Sequence, residues 1–115
     1  MTGIAVLLYF LMDKNSLIAH FLSGAKEYMV GIPDADAGAI KRDVEAILNG
    51  DLNVISTKKL KEHVRELIVG HHRITYFKIG SDIYFVRGFR KKSVKTPKNE
   101  IDYAKKIYKQ LKNKI

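Results

Sequence analysis

Apolar and polar positions change period along the chain, and those changes divide it into seven predicted elements. The run IAVLLYFLM at 4–12 is continuously apolar, β-branched and aromatic, which predicts a central strand over 3–13. The next stretch, NSLIAHFLSGAKEYM, opens with helix-capping residues and spaces Leu17, Phe21, Leu22, Ala25 and Met29 along one helical face. After it, IPDADAGAIKRDVEAILNGD starts with proline and acids and stops at Gly50. Ile40, Val44, Ile47 and Leu48 give it the stripe of a second amphipathic helix.

Beyond residue 60 the period falls to two. EHVRELIVG, RITYFKIG and DIYFVRGFR are three β-rich runs, joined by GHH and GSD, short enough for antiparallel hairpins. The last segment, TPKNEIDYAKKIYKQLKNKI, returns to helical spacing. Thr96 is the expected N-cap, Pro97 the first helical residue, and Ile101, Ala104, Tyr108, Leu111 and Ile115 form the apolar stripe. The order β-α-α-β-β-β-α predicts an α+β domain spanning 1–115. It should hold a small, mostly antiparallel twisted sheet with helices packed on one face. Alternation places Ile74 and Tyr76 on one side of their strand, with Arg73, Thr75 and Phe77 on the other.

Composition narrows the function classes. The chain has 115 residues, 46% apolar, enough for one modest core. It has no cysteine, so disulfide scaffolds and thiolate metal sites are excluded, and a reducing compartment fits. The nine-residue apolar run is far short of the roughly 20 residues of a membrane helix. It also lacks a preceding cationic residue, as a signal peptide would have. A soluble, cytoplasmic protein is therefore expected, with no membrane partner.

The net charge of +9 is unevenly placed. Residues 1–60 hold six Lys/Arg against seven Asp/Glu, whereas residues 61–115 hold fifteen against five. Such a field favours a polyanion, nucleic acid first. It is densest in VRGFRKKSVKTPKNE, where Arg87, Arg90, Lys91, Lys92, Lys95 and Lys98 surround Phe89. Arg73, Arg87 and the run 90–92 lie on neighbouring predicted strands and are expected to line one concave surface. Of the histidines, His71 and His72 fall in a predicted surface turn, while His20 and His63 stand alone. With no cysteine and no H-x-x-x-H spacing, no metal site is expected.

The segment VRELIVGHHRITYFKIGSDIYFVRGFRKKSVKTPKNEIDYAKKIYK resembles the HigB-like branch of the RelE toxin superfamily. The match is closest in HRITYF, in GFRKKSVKTPKNEI and at Ala104. It covers residues 60–108, and the first sixty agree in outline. The resemblance implies a RelE-like fold and the toxin of a type II toxin–antitoxin pair. Such a toxin is a metal-independent endoribonuclease that needs no cofactor, cuts messenger RNA on the ribosome and inhibits translation. A HigA-like helix-turn-helix antitoxin would be its partner. Carried over residue by residue, Arg73, Arg90 and Lys91 become the expected catalytic residues. Beside them, Arg65, Arg87, Phe89, Lys92 and Lys95 are the expected RNA contacts, as cations and an aromatic ring on or next to the same predicted strands. Two positions depart from the family pattern. Ile68 stands where an arginine commonly follows E-L, and Arg65 replaces the aromatic residue before the glutamate. A non-catalytic or degenerate RNA- or ribosome-binding relative is therefore the alternative, and a regulator acting through a partner is a third.

Overall fold

The computed structural model describes residues 16–114 of the chain. The strand expected over 3–13 lies outside them. The first described element is a strand, β1 (Ile18–Phe21), followed by helices α1 (Ser23–Val30) and α2 (Asp34–Asn49) and a short 3₁₀ turn over Leu52–Val54. Four strands come next: β2 (Ser56–Lys61), β3 (Val64–Val69), β4 (His72–Ile79) and β5 (Asp82–Arg90). Helix α3 (Lys98–Asn113) closes the order. Spatially the sheet runs β1-β5-β4-β3-β2, with β1 parallel to β5 and the other pairs antiparallel.

Two differences from the predicted elements have clear physical causes. Residues 18–21 are extended where a helix is expected. Leu17, Ala19 and Phe21 alternate as well as they wind, and the open edge of β5 selects the alternation. Ile18 N–H donates to Ser81 (2.8 Å), Leu22 N–H donates to Phe85 (2.9 Å), and the Phe21 ring stacks on Phe85 at 5.1 Å. Helix α1 starts only at Ser23, so the predicted helix is half strand. Strand β2, STKKLK, is absent from the predicted order. It is an edge strand, largely exposed and rich in lysine, which blunts a sheet edge against further pairing but hides the strand from hydropathy.

The remaining elements follow their patterns. Helix α2 has Asp34 and Asp36 in its first turn and ends at Gly50 with φ 78°, a left-handed backbone that glycine adopts without strain. Gly70 and Gly80, at φ 59° and 61°, turn the two hairpins β3–β4 and β4–β5. Helix α3 starts behind Pro97, but Thr96 does not cap it: its hydroxyl is used elsewhere.

The core is divided by the sheet. On one face, Ala25 of α1 and Ile40, Val44 and Ile47 of α2 pack on Leu67, Ile74, Tyr76, Ile83 and Phe85. On the other, Ala104 of α3 packs with Val64, Phe77 and Val86. The expectation of helices on a single face thus holds for α1 and α2, while α3 covers one end of the opposite face. Helix α3 covers Val64, Phe77 and Val86 and leaves open the end of that face nearest the β3–β4 turn, where the site lies. Among the described residues, no helix is long and apolar enough to cross a membrane.

Candidate nucleic-acid interface

Side chains of registered antiparallel partners point to the same face of a sheet. Glu66 pairs with Lys58 on β2 and with Thr75 on β4. Ile68 pairs with Arg73, and Arg73 with Phe89 on β5. These residues therefore share the face that α3 leaves open. Past Arg90 the chain continues in register for one more bond, Lys91 N–H to the His71 carbonyl at 2.8 Å. It then crosses back over the sheet through Lys92–Pro97. The result is a pocket of about 190 Å³. Lys58, Glu66, Ile68, Arg73 and Phe89 form its floor, and Lys91 to Pro97 form its rim.

Its electrostatics are lopsided. Five cationic side chains, Lys58, Arg73, Lys91, Lys92 and Lys95, line it together with one carboxylate, Glu66. Glu66 is only 3% exposed, and its Oε1 accepts the Thr96 hydroxyl at 2.9 Å. The residue expected to cap α3 thus orients the carboxylate at the pocket floor. Arg73 is held by the turn beneath it, its Nη1 donating to the carbonyls of Gly70 (2.8 Å) and His72 (3.0 Å). One end of the guanidinium is fixed by backbone, which leaves its other nitrogen, Nη2, to meet a ligand. Planar guanidinium and clustered ammonium groups suit phosphate oxygens. A lone buried carboxylate among them suits removal of a proton from a hydroxyl.

Of the eight residues expected to form the site, five meet here: Arg73, Lys91, Phe89, Lys92 and Lys95. The other three do not. Arg90 is the registered partner of His72, whose ring is bonded to α1 and α2, so Arg90 projects on the opposite face. Arg65 pairs with Tyr76 on that same far face and donates to Thr57 Oγ1 at 2.9 Å. Arg87 is on the pocket's face but is taken up by α3. Its Nε donates to Glu100 at 2.6 Å and its guanidinium lies 4.0 Å over the Tyr103 ring. The single concave surface expected for Arg73, Arg87 and 90–92 is thus reduced to Arg73, Lys91 and Lys92. Adjacent strand residues cannot share a face, which is why Arg90 and Lys91 separate.

Three polar residues that shape the pocket, Lys58, Glu66 and Thr96, are not among the site residues expected from the sequence. Lys58 lies on the unpredicted strand. Thr96 was expected only as a cap. Glu66 does carry a signal in the sequence, since a carboxylate sharing its parity with Val64 and Ile68 in an apolar strand needs a purpose. The histidines also differ from expectation. His72 is a buried strand residue (5% exposed), not a surface turn. His20 stacks on Tyr84 at 4.7 Å and meets Asp82 at 2.8 Å, and His63 stacks on Tyr108 at 4.5 Å.

Comparison with known proteins agrees with this architecture. The chain resembles one chain of the toxin–antitoxin complex RelBE2 from Mycobacterium tuberculosis, with a TM-score of 0.50 and 16% identity. The match covers 68% of this chain and 94% of that one, so the two share a RelE-like fold. No curated protein matches the sequence. The family of phage-derived proteins described as Gp49-like (DUF891) matches residues 27–109, from α1 to the last turns of α3, and the chain belongs to that family.

Proposed function

We propose that the chain is the toxin of a type II toxin–antitoxin pair, an endoribonuclease that cuts messenger RNA at the ribosome and so inhibits translation. One observation carries this: a buried, oriented carboxylate shares a pocket with five cations and an aromatic ring. In the reaction, Glu66 takes the proton of a 2′-hydroxyl as its oxygen bonds to phosphorus. Arg73 and the rim lysines hold the non-bridging oxygens, where charge builds. The bond from phosphorus to the 5′-oxygen breaks, and the ammonium of Lys91 or Lys92 gives that oxygen its proton, leaving a 2′,3′-cyclic phosphate. Phe89 offers a base a stacking platform, worth about 1–3 kcal/mol in such sites. None of these steps requires a metal or cofactor.

The RelBE2 neighbour is described as a toxin–antitoxin complex, which supports an antitoxin partner. The resemblance to HigB-like toxins supports a HigA-like helix-turn-helix protein as that partner and the cytoplasm as the place of action. Residues 1–115 form one domain in this proposal. The second reading, a relative that binds RNA without cutting, draws on Ile68. It lines the pocket beside Arg73, where the resembling family commonly has an arginine.

Expression without an antitoxin, followed by cleavage assays on translating ribosomes, separates the two. The nuclease arrests growth, and Glu66→Gln, which keeps an acceptor for Thr96, lowers cleavage by about 10²-fold, the low end of a lost general base. A parent that binds ribosomes without cutting, and cuts only as Ile68→Arg, identifies the binder instead.

A further inference from the structure

Directly behind the pocket, on the opposite face of β4, a polar chain crosses from α1 to α2. The Tyr28 hydroxyl lies 2.5 Å from His72 Nδ1, and His72 Nε2 lies 2.9 Å from Asp36 Oδ2. His72 is 5% exposed, so its two ring nitrogens are both satisfied inside the protein. A carboxylate only accepts, so Nε2 carries the proton given to Asp36. In the neutral imidazole Nδ1 then accepts from the Tyr28 O–H. Burial raises the Tyr28 phenol above its ordinary value, an effect opposed by nearby Arg90 and aided by Asp36, and this keeps that hydroxyl a donor.

The arrangement is built into β5 as well. Gly88 lies on this face, paired with Ile74. A Cβ there would fall 2.3 Å from Tyr28 Cδ2 and 2.5 Å from Cγ, distances no side chain tolerates. The tyrosine ring therefore lies across the strand only because residue 88 is glycine.

His72 is also the residue from which Arg73 is hung. Its carbonyl and that of Gly70 accept from Arg73 Nη1, and the carbonyl of His71 accepts from Lys91 N–H. Three consecutive backbone carbonyls of one turn thus set two cations of the pocket. The only side chain of that turn fixed in the interior is His72. We infer that Tyr28, His72 and Asp36 are positioning residues that lock the β3–β4 turn from behind, so that Arg73 is presented to the scissile phosphate. The inference rests on the nuclease reading and deepens it. A pocket of lysines alone would neutralise phosphate, whereas the locked turn gives the guanidinium one orientation. Misplacement of about 1 Å costs on the order of 10²-fold in rate.

The test is a double-mutant cycle with the whole chain. Tyr28→Phe removes one hydroxyl and keeps the ring that packs on Gly88. It is expected to lower kcat for RNA cleavage about tenfold, a fraction of the full misplacement penalty, with KM nearly unchanged and the melting temperature moved little. Asp36→Asn, which still accepts from Nε2, is expected to keep most of the rate. In an Arg73→Ala background Tyr28→Phe is expected to have no further effect, because the group it positions is gone. Cleavage at the parent rate by Tyr28→Phe overturns the inference. So does an equal loss in both backgrounds, which would mark a general stability effect. A parent that binds RNA but does not cut refutes the nuclease reading alone. The same cycle, read on the RNA dissociation constant, then decides whether Tyr28 acts through Arg73. A parent that binds no RNA at all refutes both.

Discussion

Strand β4 carries two adjacent residues with opposite fates. His72, on the face covered by α1 and α2, has both ring nitrogens bonded and is nearly inaccessible. Arg73, on the open face, is anchored at one nitrogen and otherwise faces a pocket crowded with like charge. The first arrangement is closed around the imidazole: both ring nitrogens already have a partner, so the ring adds rigidity and has no capacity for a ligand. The second is incomplete, because its cations outnumber its single carboxylate, and a polyanion would complete it. By parity alone, one strand thus separates side chains that can meet a ligand from side chains that support them from behind. The sharpest tests ask how far a substitution on each face reaches the site.

The largest effect is expected on the closed face. Phe85 is fully buried between β5 and the α1–α2 layer, stacked with Phe21 and tilted against Tyr76. Phe85→Ala should lower unfolding free energy by about 3–5 kcal/mol through lost contacts and a cavity. Where the variant remains folded, RNA cleavage per folded molecule should match the parent. A denaturant titration read beside an activity assay checks this. A stable but inactive Phe85→Ala would blur the division between faces.

The next effect belongs to the open face and should appear in rate instead of stability. Arg73→Ala should slow cleavage by about 10²-fold, equivalent to about 2.7 kcal/mol of transition-state stabilisation. Its unfolding midpoint should scarcely move, since the residue supports only turn carbonyls that water can also satisfy. Arg73→Lys should recover part of the rate, because an ammonium supplies charge without the planar fork. Full activity in Arg73→Ala would move the site away from the pocket altogether.

This division also explains how much of the molecule the sequence discloses. Helix α2, strands β3 to β5 and helix α3 are legible because each has its own period and its own boundary, such as Gly50 at the end of α2 or Pro97 at the start of α3. Residues 18–21 fit two periods equally well, and only the free edge of β5, distant in sequence, decides between them. Strand β2 is hidden because an edge strand needs little apolar surface. In the site, the abundance of cations is legible but their facing is not. Which face of β4 meets helices depends on α1 and α2, and alternation by itself leaves two equivalent choices. That single unknown accounts for Arg90 and Arg65 being expected in the pocket, whereas His72 is expected in the turn because GHH reads as the hairpin connection. It also accounts for Glu66, whose role follows only once Val64 and Phe77 are seen to face α3.

The smallest effect gives the finest comparison, because it sets two cations two residues apart on opposite faces. Lys92 lines the pocket, whereas Arg90 projects beside His72 on the far side. Both are exposed and carry the same charge, so bulk electrostatics treats them alike. Phosphate contacts do not: each one neutralised on a single strand contributes about −0.7 to the slope of log affinity against log salt. Lys92→Ala should therefore make the slope for RNA binding shallower by about that amount. Arg90→Ala should weaken binding only slightly, through the screened long-range field, and change the slope by much less than a phosphate contact would. Affinities for a short single-stranded RNA at four or five salt concentrations are sufficient to measure both. Equal slope changes would mean that RNA wraps the strand end and touches both faces. A change for Arg90→Ala alone would place the interface on the side of α1 and α2, and the pocket would lose its claim to the RNA.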